Sequence, residues 1–595
     1  MKHLTDFKPL QRVILPELGE IDCSGLILIV GPNSSGKSQF LKDIYHRVSG
    51  EHRELVVAEQ VDVRKPEYDP LLDCLKREGY IKTSFDQSVE KIRPMTSYPG
   101  TTQGGTEISV QQALSWYQAF VSPATPMTGR NEFLYYFGRM LVTALFLHIR
   151  LTSVNRVGMF DYETQPIQND LHALYMNDEA KSELLREVLT TFSKSVWLDA
   201  TRGSSLCLRV SDKPLPVEQR HSPQINQTLR SIEDEGDGLK CYVSTCIALL
   251  LGRRPICLID EPEMCLHPPQ AYNLGRFIGK YGESPDKVTF VATHSSHVLR
   301  GILQINQQKL QIIRLTQHYG KFKAHLVSSE ALKRCISKPT VLAESILDGI
   351  FAQAVAVVEA DGDRTLYQAV WESLGKENQL DIHFAAVNGT GGIADSCNLY
   401  KNLKIPIVVI ADLDIVANTD HFKQVITELA SDISFINDLL ERASKIAFAI
   451  KQLPPSISVQ EVKSQLEVAI SNKMDWSKGD DEKLQKQLNE IASKLKKMRS
   501  LKQGIKALPE DVAHPLIVLL DDLKKIGLFL VPVGELEDWL AEENVCGSKS
   551  KKSAWATAAA TLVRQMGAQD GDVWDFMREI ANYLQKNSKL CFFET

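Results

Sequence analysis

The sequence predicts an α/β protein of two consecutive domains, each built on a parallel sheet with polar groups at the carboxyl ends of its strands. Three observations predict it. The apolar run Leu26 to Val30 feeds the loop Gly31-Pro32-Asn33-Ser34-Ser35-Gly36-Lys37-Ser38. A second apolar run, Ile256 to Ile259, ends in Asp260-Glu261. Later runs, Val355 to Val358 and Ile407 to Ile410, lead into Glu359 and into Asp412-Leu413-Asp414. Short apolar runs alternating with helical patterns indicate strands covered on both faces by helices.

Composition sets the frame. A chain of 595 residues is long enough for several domains with cores of their own. Hydrophobic residues make up 43% and charged residues 24%, ordinary values for a soluble globular chain. The net charge of −6 excludes a chain that is basic overall but leaves room for a local basic patch. The start, Met1-Lys2-His3-Leu4-Thr5-Asp6, does not read as a secretion signal, and no run reaches the roughly 18 apolar residues of a membrane span. The eleven cysteines contain no CxxC pair, and Cys241 and Cys246 sit in an apolar run that reads as core. The expectation is a cytoplasmic protein without a disulfide framework or zinc site.

The first loop lies between a strand and the helix expected over Gln39 to Val48, the context that a phosphate-binding loop requires. Its glycines turn backbone N–H groups inward, and the helix start adds a positive dipole end. Gly31, Asn33, Ser35 and Gly36 are therefore expected to cradle phosphates. Lys37 is expected to reach the terminal phosphates of ATP, and Ser38 to ligate Mg2+. At the second strand end, Asp260 is expected to hold Mg2+ through water and Glu261 to orient or activate the attacking water. A third strand, Val288 to Ala292, ends in Thr293-His294-Ser295 and aims His294 at the same place. Phe133 to Ile149 and Asn169 to Ser193 read as helical, with Met140 to Ile149 as part of a core helix; Tyr98 to Thr106, with three glycines, reads as a loop.

These pieces resemble the ABC-type branch of P-loop ATPases, including the SMC and RecF types; Leu-Ile-Asp-Glu-Pro-Glu followed by Leu266-His267-Pro268 is close to that pattern. The resemblance implies an ATP-sensing Gln, for which Gln60 is the candidate. It also implies a signature loop that reaches ATP bound in a second head. Glu235-Gly236-Asp237-Gly238-Leu239-Lys240 has the right position for it, with an Asp near the usual Ser; the alternative is a glycine turn that opens a helix.

In the second half, strands at Val355 to Val358, Ile382 to Val387 and Ile405 to Ile410 alternate with helical segments, so Glu359, Asp412 and Asp414 gather at one sheet edge. Carboxylates placed together repel unless a cation joins them, and oxygen ligands suit Mg2+ or Mn2+. Two such ions about 4 Å apart can activate water and stabilise the leaving oxygen of a phosphodiester. Alone, an Asp-x-Asp is as readily the solvated end of a strand. The order of elements resembles the Toprim domain of topoisomerases, primases and the OLD (overcoming lysogenization defect) family of nucleases. That resemblance implies a metal role for Asp363, for Glu535 or Glu537 in Gly534-Glu535-Leu536-Glu537, and for one basic residue among Lys549, Lys551 and Lys552. Two positions depart from the family pattern: Ala360 stands where Gly is usual, and Ile410 where a small polar residue is common.

Between Asp414 and Leu528 lies an insertion in which Leu484, Leu488, Ile491, Leu495 and Met498 repeat at heptad spacing. Lys483, Lys486, Lys494, Lys496, Lys497, Arg499, Lys502 and Lys506 surround that stripe, as a solvated face or as an arm for nucleic acid or a partner. The expected layout is an ABC-type ATPase domain over 1–335 with a helical or irregular insertion at about 51–230, a linker at 336–350, and a Toprim domain over 351–595 with a helical insertion at about 419–523. The resemblance to OLD nucleases, including those of Gabija and retron anti-phage systems, implies metal-dependent DNA cleavage controlled by ATP, in a homodimer or larger assembly. A defence-system partner such as a helicase, or a reverse transcriptase with its DNA product, belongs to the same expectation. An ATP-driven DNA sensor or clamp of the SMC/RecF kind, with a non-cleaving Toprim module, is the alternative.

Overall fold

In a computed structural model the chain divides into two compact units, Met1–Leu332 and Lys333–Thr595. The structure describes residues 3–51, 53–86, 89–95, 106–122, 130–283, 287–305, 309–327, 344–375, 380–387, 391–453, 459–471, 485, 488–489, 499–543, 545 and 552–593. Most of the glycine-bearing stretch 98–106, the 336–343 part of the expected linker, Asn388 to Thr390, Lys549, Lys551 and most of the heptad stripe with its lysines lie outside the described residues.

The first unit is organised by a six-stranded sheet. Its strands are β1 (Gly25–Val30), β2 (Val142–Leu145), β3 (Ile256–Asp260), β4 (Val288–Ala292), β5 (Leu310–His318) and β6 (Lys321–Leu326), in the order β6-β5-β1-β4-β3-β2. All neighbours run parallel except the β5–β6 hairpin. Every residue of β1 and β4 is buried, as expected of strands covered on both faces. Helix α1 (Lys37–Val48) follows the first loop and packs Phe40 edge-on to Phe290, ring centroids 5.9 Å apart.

The structure corrects one reading. Phe133 to Ile149 is not one helix: a short helix Glu132–Phe137 and a 3-10 turn lead into β2, which closes the edge of the main sheet beside β3. All four residues of β2 are buried, and a fully apolar run this short shows no period by which to tell strand from helix. The described part of the stretch 51–230 is likewise a mixture of helices and small antiparallel sheets, including Ile81–Asp86 with Val89–Pro94 and Ser195–Asp199 with Ser205–Ser211.

The second unit carries a four-stranded parallel sheet of β7 (Ala354–Val358), β8 (Ile382–Ala386), β9 (Ile407–Ala411) and β10 (Leu528–Leu530), in the order β8-β7-β9-β10. The described part of the insertion between β9 and β10 is helical, with its two longest helices at Ile433–Gln452 and Glu510–Lys525. Helix α2 (Asp361–Leu374) lies against α3 (Lys552–Met566), whose buried Ala556, Ala559 and Ala560 let the two axes approach. Both units are α/β, and Asp260, His294, Glu359, Asp412 and Asp414 lie at or just past the carboxyl ends of their parallel strands.

One close approach in the first unit is testable. Helices Pro268–Tyr281 and Ser296–Leu303 follow β3 and β4 and meet through two glycines. A Cβ at Gly275 would lie 2.3 Å from the Val298 carbonyl oxygen, and one at Gly301 would lie 2.2 Å from that of Tyr272. Gly275→Ala is therefore expected to destabilise the protein by about 1–3 kcal/mol, read as a lowered Tm in a thermal melt.

Candidate nucleotide and metal sites

The phosphate loop has the backbone such a loop needs. Gly31, Ser34 and Gly36 have φ of 144°, 61° and 92°, and a Cβ at Gly31 would lie 2.1 Å from the Leu315 carbonyl oxygen. Lys37 is buried, its Nζ donating to the carbonyls of Gly31 (2.9 Å) and Pro32 (2.8 Å). Burial lowers its pKa, and the charges of Glu261, Glu263 and Asp260 oppose that shift. The loop is thus curled around its own lysine, with Ser35 buried beside it.

Asp260 ends β3, and burial pushes its carboxyl up while the Ser38 hydroxyl, hydrogen-bonded to it, partly offsets the shift. Its Oδ1 is buried without a hydrogen-bond partner. A hydroxyl beside an unpaired buried carboxylate oxygen fits a magnesium ion. Glu261 follows at φ 47°, a left-handed conformation unusual for a residue with a side chain. Two bonds hold it there: its N–H donates to the Ala292 carbonyl at 2.8 Å, and its carbonyl accepts from Arg150 Nη2 at 2.9 Å. His294 stands opposite, its Nδ1 3.5 Å from Glu261 Oε1 and 3.3 Å from Glu263 Oε1. The structure therefore brings Lys37, Ser38, Asp260, Glu261 and His294 to one place.

Two residues there escaped the sequence reading. Glu263 accepts from the Thr293 hydroxyl and from the His294 backbone N–H, both at 2.9 Å, tying the β3 loop to the end of β4. Its signal was available in Asp-Glu-Pro-Glu. Arg150 is fully buried, and nothing in its apolar surroundings Leu147 to Leu151 marks it. Gln60, by contrast, lies in a separate antiparallel sheet, paired with Ile14, its amide donating to Asp62 at 2.6 Å. Gly236 caps the helix Asp237–Leu251, and a Cβ at Gly238 would lie 2.4 Å from the Cys265 carbonyl oxygen. That close approach is the structural reason for the glycine.

In the second unit Glu359 follows β7, Asp412 and Asp414 follow β9, and Glu535 and Glu537 follow β10. Asp363, in the first turn of α2, accepts from the Ala360 N–H at 2.9 Å. Burial, reinforced by neighbouring carboxylates, pushes Glu359 up to about 7, Asp363 up to about 6 and Asp412 up to about 8. Glu359 Oε1 and both carboxylate oxygens of the buried Glu537 lack hydrogen-bond partners. Lys552, the first residue of α3, places Nζ 3.9 Å from Glu537 and 4.0 Å from Glu535. Of the three basic candidates it is the one among the described residues.

Among the described residues no three His, Cys, Asp or Glu groups already converge as a metal cage. The carboxylates interact electrostatically without meeting. Unpaired oxygens and raised proton affinity in a hard oxygen donor set nevertheless fit a divalent cation, with Glu359, Asp363, Asp412, Asp414, Glu535 and Glu537 as the groups able to hold it. Ile410, at the position noted as a departure, is buried in the core. Among the described residues no helix is long and apolar enough to cross a membrane.

The raised carboxyls have a consequence for stability. In the folded state they keep protons that the unfolded chain releases near pH 4, so their contribution is complete below about pH 4 and declines as pH rises through 6 to 8. Asp412→Asn is expected to raise the metal-free Tm at pH 8 by a few degrees and to flatten this decline, measured by melts across pH 4–9.

Part of the second unit matches a known family model. Residues 350–414 match the family described as "Overcoming lysogenization defect protein-like, TOPRIM domain". No curated protein matches the chain. Among solved structures, the C-terminal region of the Burkholderia pseudomallei OLD protein is 19% identical, over 40% of this chain and 99% of that one, with a TM-score of 0.18. The SMC head domain from Thermotoga maritima is 13% identical, over 54% and 99%, with a TM-score of 0.27. The Pyrococcus furiosus Smc head domain, with an extended coiled coil and bound to the C-terminal domain of ScpA, is 10% identical, over 55% and 98%, with a TM-score of 0.28. With β7, β8 and β9 and the Glu359, Asp412 and Asp414 strand ends inside the matched segment, it is residues 350–414 of this chain that are similar to the OLD-like Toprim domain.

Proposed function

We propose that this chain is an ATP-regulated, Mg2+-dependent DNA endonuclease. The observation that carries the reading is the desolvated group of Glu359, Asp363 and Asp412 at one edge of the Toprim sheet, with Lys552 facing it. Such an arrangement is unfavourable by itself and becomes favourable around a divalent cation. Bound Mg2+ or Mn2+ would supply Lewis-acid stabilisation and a nucleophilic water at neutral pH. Glu359, Asp412 and Asp414 hold and orient the cation side of the site, Glu535 and Glu537 close it from β10, and the Lys552 ammonium offers a positive group to a backbone phosphate.

In the first unit Lys37 and the loop bind the ATP phosphates, Ser38 and Asp260 hold the accompanying Mg2+, and Glu261 with His294 orients the attacking water. An oligomer of at least two chains, a role in anti-phage defence, and a partner such as a helicase or a reverse transcriptase with its DNA product extend the same reading.

The test is cleavage of supercoiled and linear DNA with Mg2+ or Mn2+, with and without ATP. Asp412→Ala is expected to lower cleavage at least about a hundredfold, and Lys37→Ala to abolish ATP control. Cutting that survives Asp412→Ala would sink the nuclease reading. That no carboxylate cage converges among the described residues favours the second reading, an ATP-driven DNA clamp with a non-cleaving Toprim module. ATP-dependent DNA binding without cutting in any metal would select it.

Arg150 gives a separate prediction, because its bond to the Glu261 carbonyl holds the left-handed turn. Arg150→Met is expected to lower kcat for ATP hydrolysis about tenfold with ATP affinity little changed, and Arg150→Lys to recover part of the loss, measured by steady-state phosphate release and nucleotide titration.

A further inference from the structure

The helical insertion rejoins the Toprim sheet in a way that the metal site does not require. A late segment of it, helix Arg499–Lys502 followed by Gly504 and Ile505 and preceding the last helix Glu510–Lys525, is pressed onto the segment Pro532 to Glu535. A Cβ at Gly534 would lie 2.3 Å from the Lys502 carbonyl oxygen and 2.6 Å from the Gly504 nitrogen. A Cβ at Gly504 would lie 2.5 Å from the Val533 carbonyl oxygen. Both glycines have positive φ, 82° and 107° in chain order, and the Ile505 N–H donates to the Pro532 carbonyl at 3.0 Å. Leu501, fully buried, anchors the segment from the other side. Backbone is laid on backbone here, and no side chain could stand between them.

The product of this contact is the position of Lys502. Its ammonium donates to Glu535 Oε1 at 2.5 Å, while Lys552 Nζ stands 4.0 Å from the same oxygen. Asp412 and Asp414 also act on Lys502 electrostatically. Its side chain is 48% exposed, so the ammonium is open to solvent and not spent on the core. Two cations therefore flank a single carboxylate, one from α3 and one from the insertion. A cation that recruits Glu535 leaves the Lys502 ammonium without its partner, at the rim of a site that handles a phosphodiester.

We propose that Lys502 is a DNA phosphate-binding residue of the Toprim site, presented by a late segment of the helical insertion through the Gly504–Gly534 contact. This rests on the nuclease reading for its substrate and not for its own test. Lys502 is a point charge on a flexible stem, suited to a backbone phosphate and indifferent to base sequence.

The experiment uses the full chain, a short fluorescent DNA duplex and Ca2+ in place of Mg2+, with affinity measured by anisotropy across a KCl series. Lys502→Ala is expected to weaken binding about tenfold and to reduce the slope of log affinity against log salt by roughly 0.9, the value for one lost phosphate contact. Lys502→Arg is expected to keep the slope. In Mg2+, Lys502→Ala is expected to raise KM for DNA more than it lowers kcat. A salt slope and affinity equal to wild type in Lys502→Ala would overturn the proposal and leave Lys502 a structural ion pair, as would a lowered Tm with the slope unchanged. A wild type that binds DNA but cuts in no metal overturns the nuclease reading separately, because the salt slope is read without cleavage.

Discussion

The parallel strands of the second unit end at one edge, and the chain has placed carboxylates at three of those ends. That constraint governs the rest of the unit. Carboxyls drawn out of water beside each other resist ionisation, and burial raises the proton affinity of Glu359, Asp363 and Asp412. The alanine face of α3 lets that helix lie close to α2 and brings Lys552 toward Glu537, supplying part of the missing positive charge. The strain of the arrangement lies in its electrostatics, while the sheet beneath it is an ordinary buried apolar layer.

The first unit solves a different problem with the same geometry. Its strand ends present a tightly curled loop and carboxylates whose charges act on the lysine inside it. The loop is shaped by positive φ at Gly31, Ser34 and Gly36, and the facing turn by positive φ at Glu261. In the loop two of the three positions are glycine. In the facing turn a glutamate takes the conformation, and the buried Arg150 guanidinium stabilises it through the carbonyl.

What could be read in the sequence follows from the range of the interactions involved. β1, its loop and α1 are local, and so are the strand ends at Asp260, His294, Glu359 and Asp412; each was legible from a run of apolar residues and its punctuation. β2 was misread as helix because an apolar run buried on both sides has no period. Gln60 was assigned by its position after an apolar run, and the structure seats it in another sheet. Glu263 was passed over although Asp-Glu-Pro-Glu offered it, whereas the contacts of Arg150 with Glu261 and of Lys502 with Glu535 reach across long stretches of chain. Arg150 looks like one charge in an apolar helix, and Lys502 like one more lysine on a basic face. Only tertiary contact distinguishes them.

The seam between Gly504 and Gly534 also bears on how this chain can be cut and recombined. Neither glycine tolerates a side chain while the other segment stays where it is, so the Leu501 to Ile505 segment of the insertion and the loop after β10 must travel together. A graft of this insertion into a related sheet has to carry Leu501 to Ile505 and Pro532 to Glu535 as one unit. A hybrid joined between them would bring two unfitted backbones together, and shortening the helices further out would leave that junction intact.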